Sequence, residues 1–395
     1  MSLFKLVLVN LGRNKRRTLL TMLSVVIALF LFCTLRGVLD TLHAAIEVGS
    51  ESRLVTRNAI SLVFPMPLAY RDRIAAVPGV RSVAIQNWFG GRDPNDPGNF
   101  FAQFGVDPAF YPMYARDIEI VAAIQPQAPV PVPPGLDPKL AGYLADQTGA
   151  VVGKTLFDRM KWKVGQTVTL SGTIYPGDWP FTIAAVYHAK DPQFGEETML
   201  FHWKYLEQKG MGGQGQVGVF VLDLAEPGRA GGIARAVDAM FENSAAQTRT
   251  ETERAFQAGF ISMYGNVPFL IGIIGFAVVF AILLVSANTM MMAARERTAE
   301  IGVLKTLGFE DGTVFNVILA EAAIITLGGG LAGALLAKFA LEGKALGGFL
   351  PPMTIAWQTI ALGVAIAVIM GAASGLLPAW QASRLRIVDA LRRVE

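Results

Sequence analysis

The chain has 395 residues, 52% of them hydrophobic and 16% charged, with a formal net charge of +3 and a positive mean hydropathy. Soluble globular domains average about a quarter charged residues, so the composition excludes an ordinary soluble enzyme and points to an integral membrane protein. The basic excess lies beside apolar runs and gives no case for nucleic acid. Cys33 is the single cysteine, which excludes a disulfide-stapled outer domain.

Residues 1–17 form a basic, amphipathic opening segment with Lys5, Arg13, Lys15, Arg16 and Arg17. Four apolar stretches follow along the chain, Thr18–Leu35, Val267–Ala294, Val314–Ala337 and Ile355–Trp380. Each is near the roughly 20 residues that cross a bilayer, which predicts transmembrane helices over 18–36, 267–294, 314–338 and 355–380. The basic cluster before the first run fits the front of a signal peptide, but no small-residue cleavage site follows, and the apolar run is longer than a signal core. The expected element is an uncleaved helix that continues outward to about residue 52, since no proline interrupts it. Arg295, Arg297 and Lys305 lie between the second and third runs, and Arg384, Arg386, Arg392 and Arg393 follow the fourth. Positive charge in short flanks marks the cytoplasmic side. Both termini and residues 295–312 are therefore expected in the cytoplasm, with residues 40–265 outside it.

That outer segment carries strand-like runs at Arg81–Ile85, Phe100–Val106, Gln166–Leu170, Phe181–Tyr187 and Gly218–Leu224. Helical patterns at Leu68–Val77, Lys154–Trp162 and Ala230–Glu242 alternate with them, which predicts an α+β domain. A proline-rich stretch, Gln125–Pro138, favours extended polyproline geometry and reads as a semi-rigid joint between subdomains. Thr250 and Glu253 have capping-box spacing, and Phe256 and Phe260 recur at helical spacing beyond them. This predicts a stalk helix running unbroken into the second span, either as a plain connector or as a transmitter of movement.

Glu321 lies deep in the third span, where a carboxylate is expensive and normally faces protein or water. Asn288 lies at a similar depth in the second, and the two either hydrogen-bond inside the bundle or Glu321 reaches the interface alone. Gly329 with Gly333, and Gly371 with Gly375, make small-residue faces assigned to packing of the third span on the fourth. His43, His188 and His202 are scattered without metal-ligand spacing. No phosphate loop or nucleophile elbow occurs, so no catalytic, metal or cofactor residues are expected.

One short stretch remains. "RERTAEIGVLKTLGF", Arg295–Phe309, is an amphipathic turnaround between the second and third runs. It lies either on lipid or against a protein. Together with "LAEA" at Leu319–Ala322, "LLPAWQASRLRIVDALRR" at the end, "NLGRNKRRTLLTMLSVVIAL" at the start and "VVGKTLFDRMKWKVGQTVTLSGTIYPGDWPFTIAAVYH" in the outer segment, it resembles the MacB/LolC/FtsX group of ABC-transporter permeases over nearly the whole chain. The resemblance implies an α-helical membrane protein of four spans with a large extracytoplasmic domain between the first and second. Its porter-like part maps to 40–106 and 215–265, and its inserted part to 107–214. It implies dimerisation with a copy or a paralogue around a pair of separate cytoplasmic ATPases that bind the ATP and magnesium. The expected setting is a bacterial inner membrane, with an adaptor and an outer-membrane channel as further partners. The coupling helix would be Arg295–Gly312, with Arg295, Glu296, Arg297, Glu300, Ile301, Leu304, Lys305, Leu307 and Gly308 as its contact residues and Ile301 and Leu304 as its apolar contact. Such a permease turns ATP hydrolysis into movement of its outer domain, driving export of a substrate. FtsX-like activation of a cell-wall hydrolase, or LolC/LolE-like lipoprotein release, are the alternatives.

Overall fold

The computed structural model describes residues 3–96, 98–190, 195–209, 214–262, 265–343 and 353–386. Two units emerge, Met1–Thr41 with Asn266–Lys344 and Met353–Glu395, and Leu42–Gly265 with Ala345–Pro352. The chain begins with helix α1 (Leu3–Arg13) and the long helix α2 (Lys15–Val48). The second unit then builds β1 (Arg53–Asn58), β2 (Met66–Pro67), α3 (Tyr70–Ala75), β3 (Val80–Trp88), β4 (Gly91–Arg92), β5 (Ala102–Val106), α4 (Phe110–Tyr114) and β6 (Ile118–Ala123). It continues through α5 (Ala141–Ala145), β7 (Gly149–Gly153), α6 (Lys154–Met160), β8 (Thr167–Gly172), β9 (Gly177–Ala189), β10 (Thr198–His202) and α7 (Trp203–Lys209). Its last elements are β11 (Gln216–Val217), β12 (Val219–Leu224), α8 (Ala230–Phe241), β13 (Thr248–Thr252) and α9 (Glu253–Ser262). The chain returns to the first unit with α10 (Val267–Glu296), α11 (Thr298–Thr306), α12 (Asp311–Leu341) and α13 (Trp357–Ser383).

Among the described residues four helices are long and apolar enough to cross a membrane, Lys15–Ala44, Pro268–Glu296, Asp311–Leu341 and Trp357–Ser383. Each outruns its apolar stretch because polar ends are needed to meet water and headgroups. The exception is the start of α13: Ile355 is not helical, and it packs with Cys33, Ala334 and Ile360. The glycines act partly on a different neighbour from the one expected. A side chain at Gly333 would place its first carbon 2.4 Å from the Val26 carbonyl oxygen, and one at Gly329 would come within 2.9 Å of that of Met22. Both therefore seat α12 on α2. Gly371 and Gly375 do face α12, against Thr326 and Ala322.

The second unit is built on one large mixed sheet in the order β13-β1-β12-β3-β5-β10-β7-β9-β8-β4, with β6 also paired to β9. Strands β5 and β10, and β7 and β9, run parallel, while the other pairs are antiparallel. The two parts expected over 40–106 with 215–265 and over 107–214 contribute to this same sheet. Strand β4 falls on the far side of that division, because it pairs with β8. The proline-rich stretch is not a joint between bodies. The strands on either side of it, β6 and β7, both pair with β9, and Val132 and Leu136 pack into the core between.

Aromatic rings fill the far half of the sheet. Phe89 is fully buried, with ring centroids 5.2, 5.7 and 5.5 Å from Trp179, Phe181 and Phe201, edge-on geometry that suits the ring quadrupoles. Nearby, His202 stacks on Tyr143 at 3.8 Å, and its Nε2 lies 2.8 Å from the Tyr143 carbonyl oxygen.

Two predictions follow from this packing. Gly333→Val drives a side chain into the α2 backbone, and overpacking of this kind costs about 1–3 kcal/mol. The thermal midpoint of the purified protein in detergent should drop, while Gly272→Ala, where nothing lies within 4 Å, leaves it unchanged. The second concerns His202. Burial holds its imidazole below the ordinary 6.5, so the neutral ring is the folded form. Its stability is fully present above that value and is lost as pH falls through the lowered one. Burial raises the Asp107 and Glu197 carboxyls, which act with the opposite sign. His202→Gln, which keeps a donor but cannot charge, should flatten the loss of midpoint on acidification from about pH 7 to 5. An unaltered slope would remove the imidazole from the acid response.

Candidate functional site

The basic end of the helical unit is organised around a one-residue break. Arg297 ends α10 and starts α11 with φ −101° and ψ 15°, so the chain turns without a loop. Its guanidinium Nη1 donates to both Glu321 oxygens at 2.8 and 3.0 Å, and Nη2 donates to the Asn10 carbonyl at 2.9 Å. Asn10 Nδ2 completes the set by donating to Glu321 Oε1 at 2.7 Å. Both charged side chains are largely buried, 16% and 8% exposed. Removing one partner of such a pair costs about 3–5 kcal/mol, because the other is left buried and uncompensated. The cluster joins α1, the α10–α11 turn and α12. The expected Asn288 partner is not part of it: Asn288 is exposed on α10. Arg297 is therefore not an outward contact residue, because the Glu321 carboxylate holds it.

Further contacts fix α11. Lys305 Nζ donates to the carbonyls of Ser383 at 2.5 Å and Leu385 at 2.8 Å, and pairs with Asp311 at 2.7 Å. A cation on the last carbonyls of α13 also complements its helix dipole. Ile301 is 5% exposed and packs on Val314 and Ala382, so it faces the bundle instead of offering an outward contact. The helical period explains this, since Ile301 follows Arg297 by four residues and shares its inward face. Leu304 is half-buried and lines a cleft of about 670 Å³ with Met290, Phe309, Val317 and Ile318. The apolar side chains of α11 and its end that face out are Val303, 49% exposed, and Leu307, 71% exposed. Glu300 pairs with Arg13 at 2.6 Å and Glu296 with Arg17; the exposed Arg13 pair contributes little. Arg295 is exposed. Gly308 takes φ +91°, which frees its own and the next N–H to cap Lys305 and Leu304 carbonyls.

Sequence reasoning missed the polar contacts at the opposite end. Asp40 of α2 accepts from Thr359 Oγ1 at 2.6 Å and from the Ala356 N–H at 3.3 Å, capping α13 from a different helix. Lys338, buried in α12, donates to the Ile355 carbonyl and to Glu342, both at 2.8 Å, and lies over the Trp357 ring. The signal was a lone lysine in an apolar run.

In the second unit the expected stalk residues divide. Thr250 does not cap a helix. It lies in β13, where its Oγ1 bonds Thr56 Oγ1 at 2.9 Å and Asp238 at 2.7 Å. The T-x-x-E spacing fits a capping box and also an alternating β-strand of threonines, and pairing with β1 decides between them. The cap is Thr252, whose Oγ1 accepts from the Ala255 N–H at 3.2 Å. Glu253 does not reach back to its own turn. It accepts from Arg53 Nε at 2.8 Å, from the Ser50 N–H at 3.0 Å and from Tyr114 OH at 2.7 Å. Arg53 also donates to Asp117 at 2.8 Å and lies over the Tyr114 ring. Burial alone would lower the Arg53 pKa, but Glu253, Tyr114 and Asp117 hold it raised. Burial, and then Glu253, keeps the proton on Tyr114. This clasp ties the start of β1, the start of α9 and α4 together. Phe256 is half-buried on α9; the side chain of Phe260 lies outside the described residues. The helix does not run unbroken into the second span: α9 ends at Ser262, Gly265 takes φ +86°, and Asn266 caps α10 afresh through Phe269 N–H.

Two family models match the chain, one after the other. Residues 18–240 match the family model of the MacB-like periplasmic core domain, and residues 271–387 match the FtsX-like permease C-terminal model. A macrolide export ATP-binding/permease protein MacB from Nitrobacter winogradskyi is 32% identical over 156 residues, 39% of this chain and 22% of that protein. The uncharacterized ABC transporter permease YknZ of Bacillus subtilis is 37% identical over 106 residues, 27% of this chain and 26% of that one. The aligned stretches thus span about a quarter of the length of these curated relatives. The crystal structure of the periplasmic region of MacB from Actinobacillus actinomycetemcomitans aligns with 54% of this chain and 95% of that one, at 7% identity and a TM-score of 0.37, too weak a likeness to carry weight. The first of the two family models covers more than half of the chain, residues 18–240 of 395, and the chain belongs to the MacB-like and FtsX-like family of ABC-transporter permeases.

Proposed function

We propose that this chain is the membrane subunit of an exporter whose ATP is hydrolysed by a separate cytoplasmic ATPase, and that it converts that hydrolysis into movement of its outer unit. No cofactor of its own takes part; ATP and magnesium belong to the ATPase. A single observation carries the reading. Helix α11 is anchored inward by Ile301, Arg297 and Lys305, while Val303 and Leu307 stay exposed on it. An apolar pair exposed at one helical turn on a rigidly anchored helix is a handle for another protein. A lipid-lying helix is the weaker account, because acidic residues match or outnumber basic ones along it, Glu296, Glu300, Glu310 and Asp311 against Arg295, Arg297 and Lys305.

The mechanism follows from the anchors. Force on α11 passes through the Arg297–Glu321 pair into α12, and through Lys305 into the end of α13. Close packing transmits displacement because the interior compresses little. The bundle lies inside the inner membrane with both termini cytoplasmic, and the outer unit acts beyond it. Substrate is handled outside the membrane, with an adaptor and an outer-membrane channel to receive it.

Leu307→Asp should leave the protein inserted and its outer unit folded, yet release the ATPase, because a buried unpaired charge in a small docking contact costs several kcal/mol. Val303→Asp should do the same. A pull-down of the co-expressed ATPase measures it, beside a protease-resistance assay for the outer unit. Full recovery of the ATPase with both variants would place the docking contact elsewhere. Ile301→Asp behaves differently, lowering the thermal midpoint of the bundle itself.

Glu321→Leu should destabilise the helical unit by about 3–5 kcal/mol, since Arg297 is left without its carboxylate. The double variant Arg297→Leu/Glu321→Leu should recover most of that loss, because two apolar side chains need no partner. Thermal denaturation of the two proteins in one detergent decides it. A double variant no more stable than Glu321→Leu would show that the carboxylate acts other than by pairing.

A further inference from the structure

The cleft beside Leu304 has a volume of about 670 Å³, within the range of about 300–1,000 Å³ typical of small-molecule sites. Two of its walls are apolar and built alike. Met290, Ala293 and Ala294 of α10 and Val314, Val317 and Ile318 of α12 line it. Each set recurs at i, i+3 and i+4, which is one face of a helix. The two alanines keep the α10 wall low, so the slot stays open. Leu304 adds a side from α11, and the Arg297–Glu321 pair borders the same space.

Helix α1 supplies the polar edge. Asn10 and Arg13 line the cleft, and Arg13 is 63% exposed even though it pairs with Glu300. Lys15 and Arg16 follow directly across the turn into α2. Both are exposed, and neither has an ion-pair partner among the described residues. Arg17 is taken by Glu296. Two uncompensated positive charges therefore stand next to an apolar slot. One helical turn later, Leu19 and Leu20 are 66% and 63% exposed. A change from free cations to exposed leucines over one turn marks the boundary between headgroups and acyl chains. The ligand that matches both sides of that boundary is an amphiphile with an anionic head and an apolar tail.

We propose that the cleft takes one acyl chain of an anionic phospholipid, whose phosphate is held by Arg13, Lys15 and Arg16. A chain seated there joins α1 to α11 and keeps water from the Arg297–Glu321 pair, which strengthens as the local dielectric falls. The site needs no ATPase, so its failure is distinguishable from a failure of docking at Val303 and Leu307.

The test places the purified full-length chain, without ATPase, in phosphatidylcholine vesicles. These carry a trace of phosphatidylglycerol with a photoactivatable acyl chain, or of phosphatidylcholine with the same chain. Labelling within residues 290–318 should be at least about tenfold stronger with the anionic probe, the scale expected of a few cations at a membrane surface. The variant Arg13→Gln/Lys15→Gln/Arg16→Gln should bring the anionic probe down to the level of the neutral one. Its thermal midpoint in neutral vesicles should not move, because an exposed pair contributes little. Ala294→Phe fills the slot and should lower labelling there by both probes, while labelling at the exposed Phe276 and Phe280 stays as it is. If that variant loses thermal midpoint, Leu304→Trp fills the same cleft from its half-buried wall. Equal labelling by the two probes, or undiminished labelling of the triple variant, would overturn the headgroup contact. Undiminished labelling of a filled cleft would overturn the acyl site. Competition by excess glycerol phosphate would make it a site for free phosphate, and loss of label on adding the ATPase would assign the cleft to that protein instead.

Discussion

A guanidinium and a carboxylate kept from water need each other, and Arg297 and Glu321 meet where three helices converge. Neither is tolerable alone in that position. The pairing therefore decides where the chain can turn after α10. Arg297 must face inward, Ile301 follows it by the helical period, and Val303 and Leu307 are left outward. The outward apolar pair of α11 is a consequence of the buried ion pair.

The two units hold together by different means. In the helical unit, backbone approaches backbone at Gly329, Gly333, Gly371 and Gly375, and a few polar contacts lock the two ends. Where apolar surface gains nothing from leaving lipid, such close packing and such contacts are what remains to specify an arrangement. The second unit has no such limit. It buries aromatic rings on a mixed sheet, and its polar clasp of Arg53, Glu253, Tyr114 and Asp117 sits where β1 and α9 begin.

Much of this was legible from residues. Long apolar runs found the four helices, and strong β-formers found β3, β5, β8, β9 and β12 within a few residues. Several of the failures turned on who pairs with whom across long sequence separations. Thr250 reads equally as a cap or as a strand residue, and only the neighbouring β1 makes it the latter. Strand β1 itself, Arg53–Asn58, carries too much charge to look buried, and its arginine is inside because Glu253 waits for it two hundred residues later. Glu321 was visible as a buried carboxylate. Its partner was not, since Asn288 and Arg297 lie at comparable reach along the chain and only helix rotation distinguishes them.

The sheet carries a consequence for how the protein is made. Strand β1 is flanked by β12 and β13, so the first strand of the outer unit to leave the ribosome finds neither neighbour until nearly the whole unit has been synthesised. Parallel β5 likewise waits for β10. Unpaired strand edges are templates for aggregation, and pairings this distant in sequence form slowly. The early strands therefore remain open for most of synthesis, and α2, already placed in the bilayer, keeps them tethered at one point while the later strands arrive. Closure around β1 thus comes late in synthesis, and an internal deletion of β13 alone leaves β1 with one open edge while β12 still covers the other.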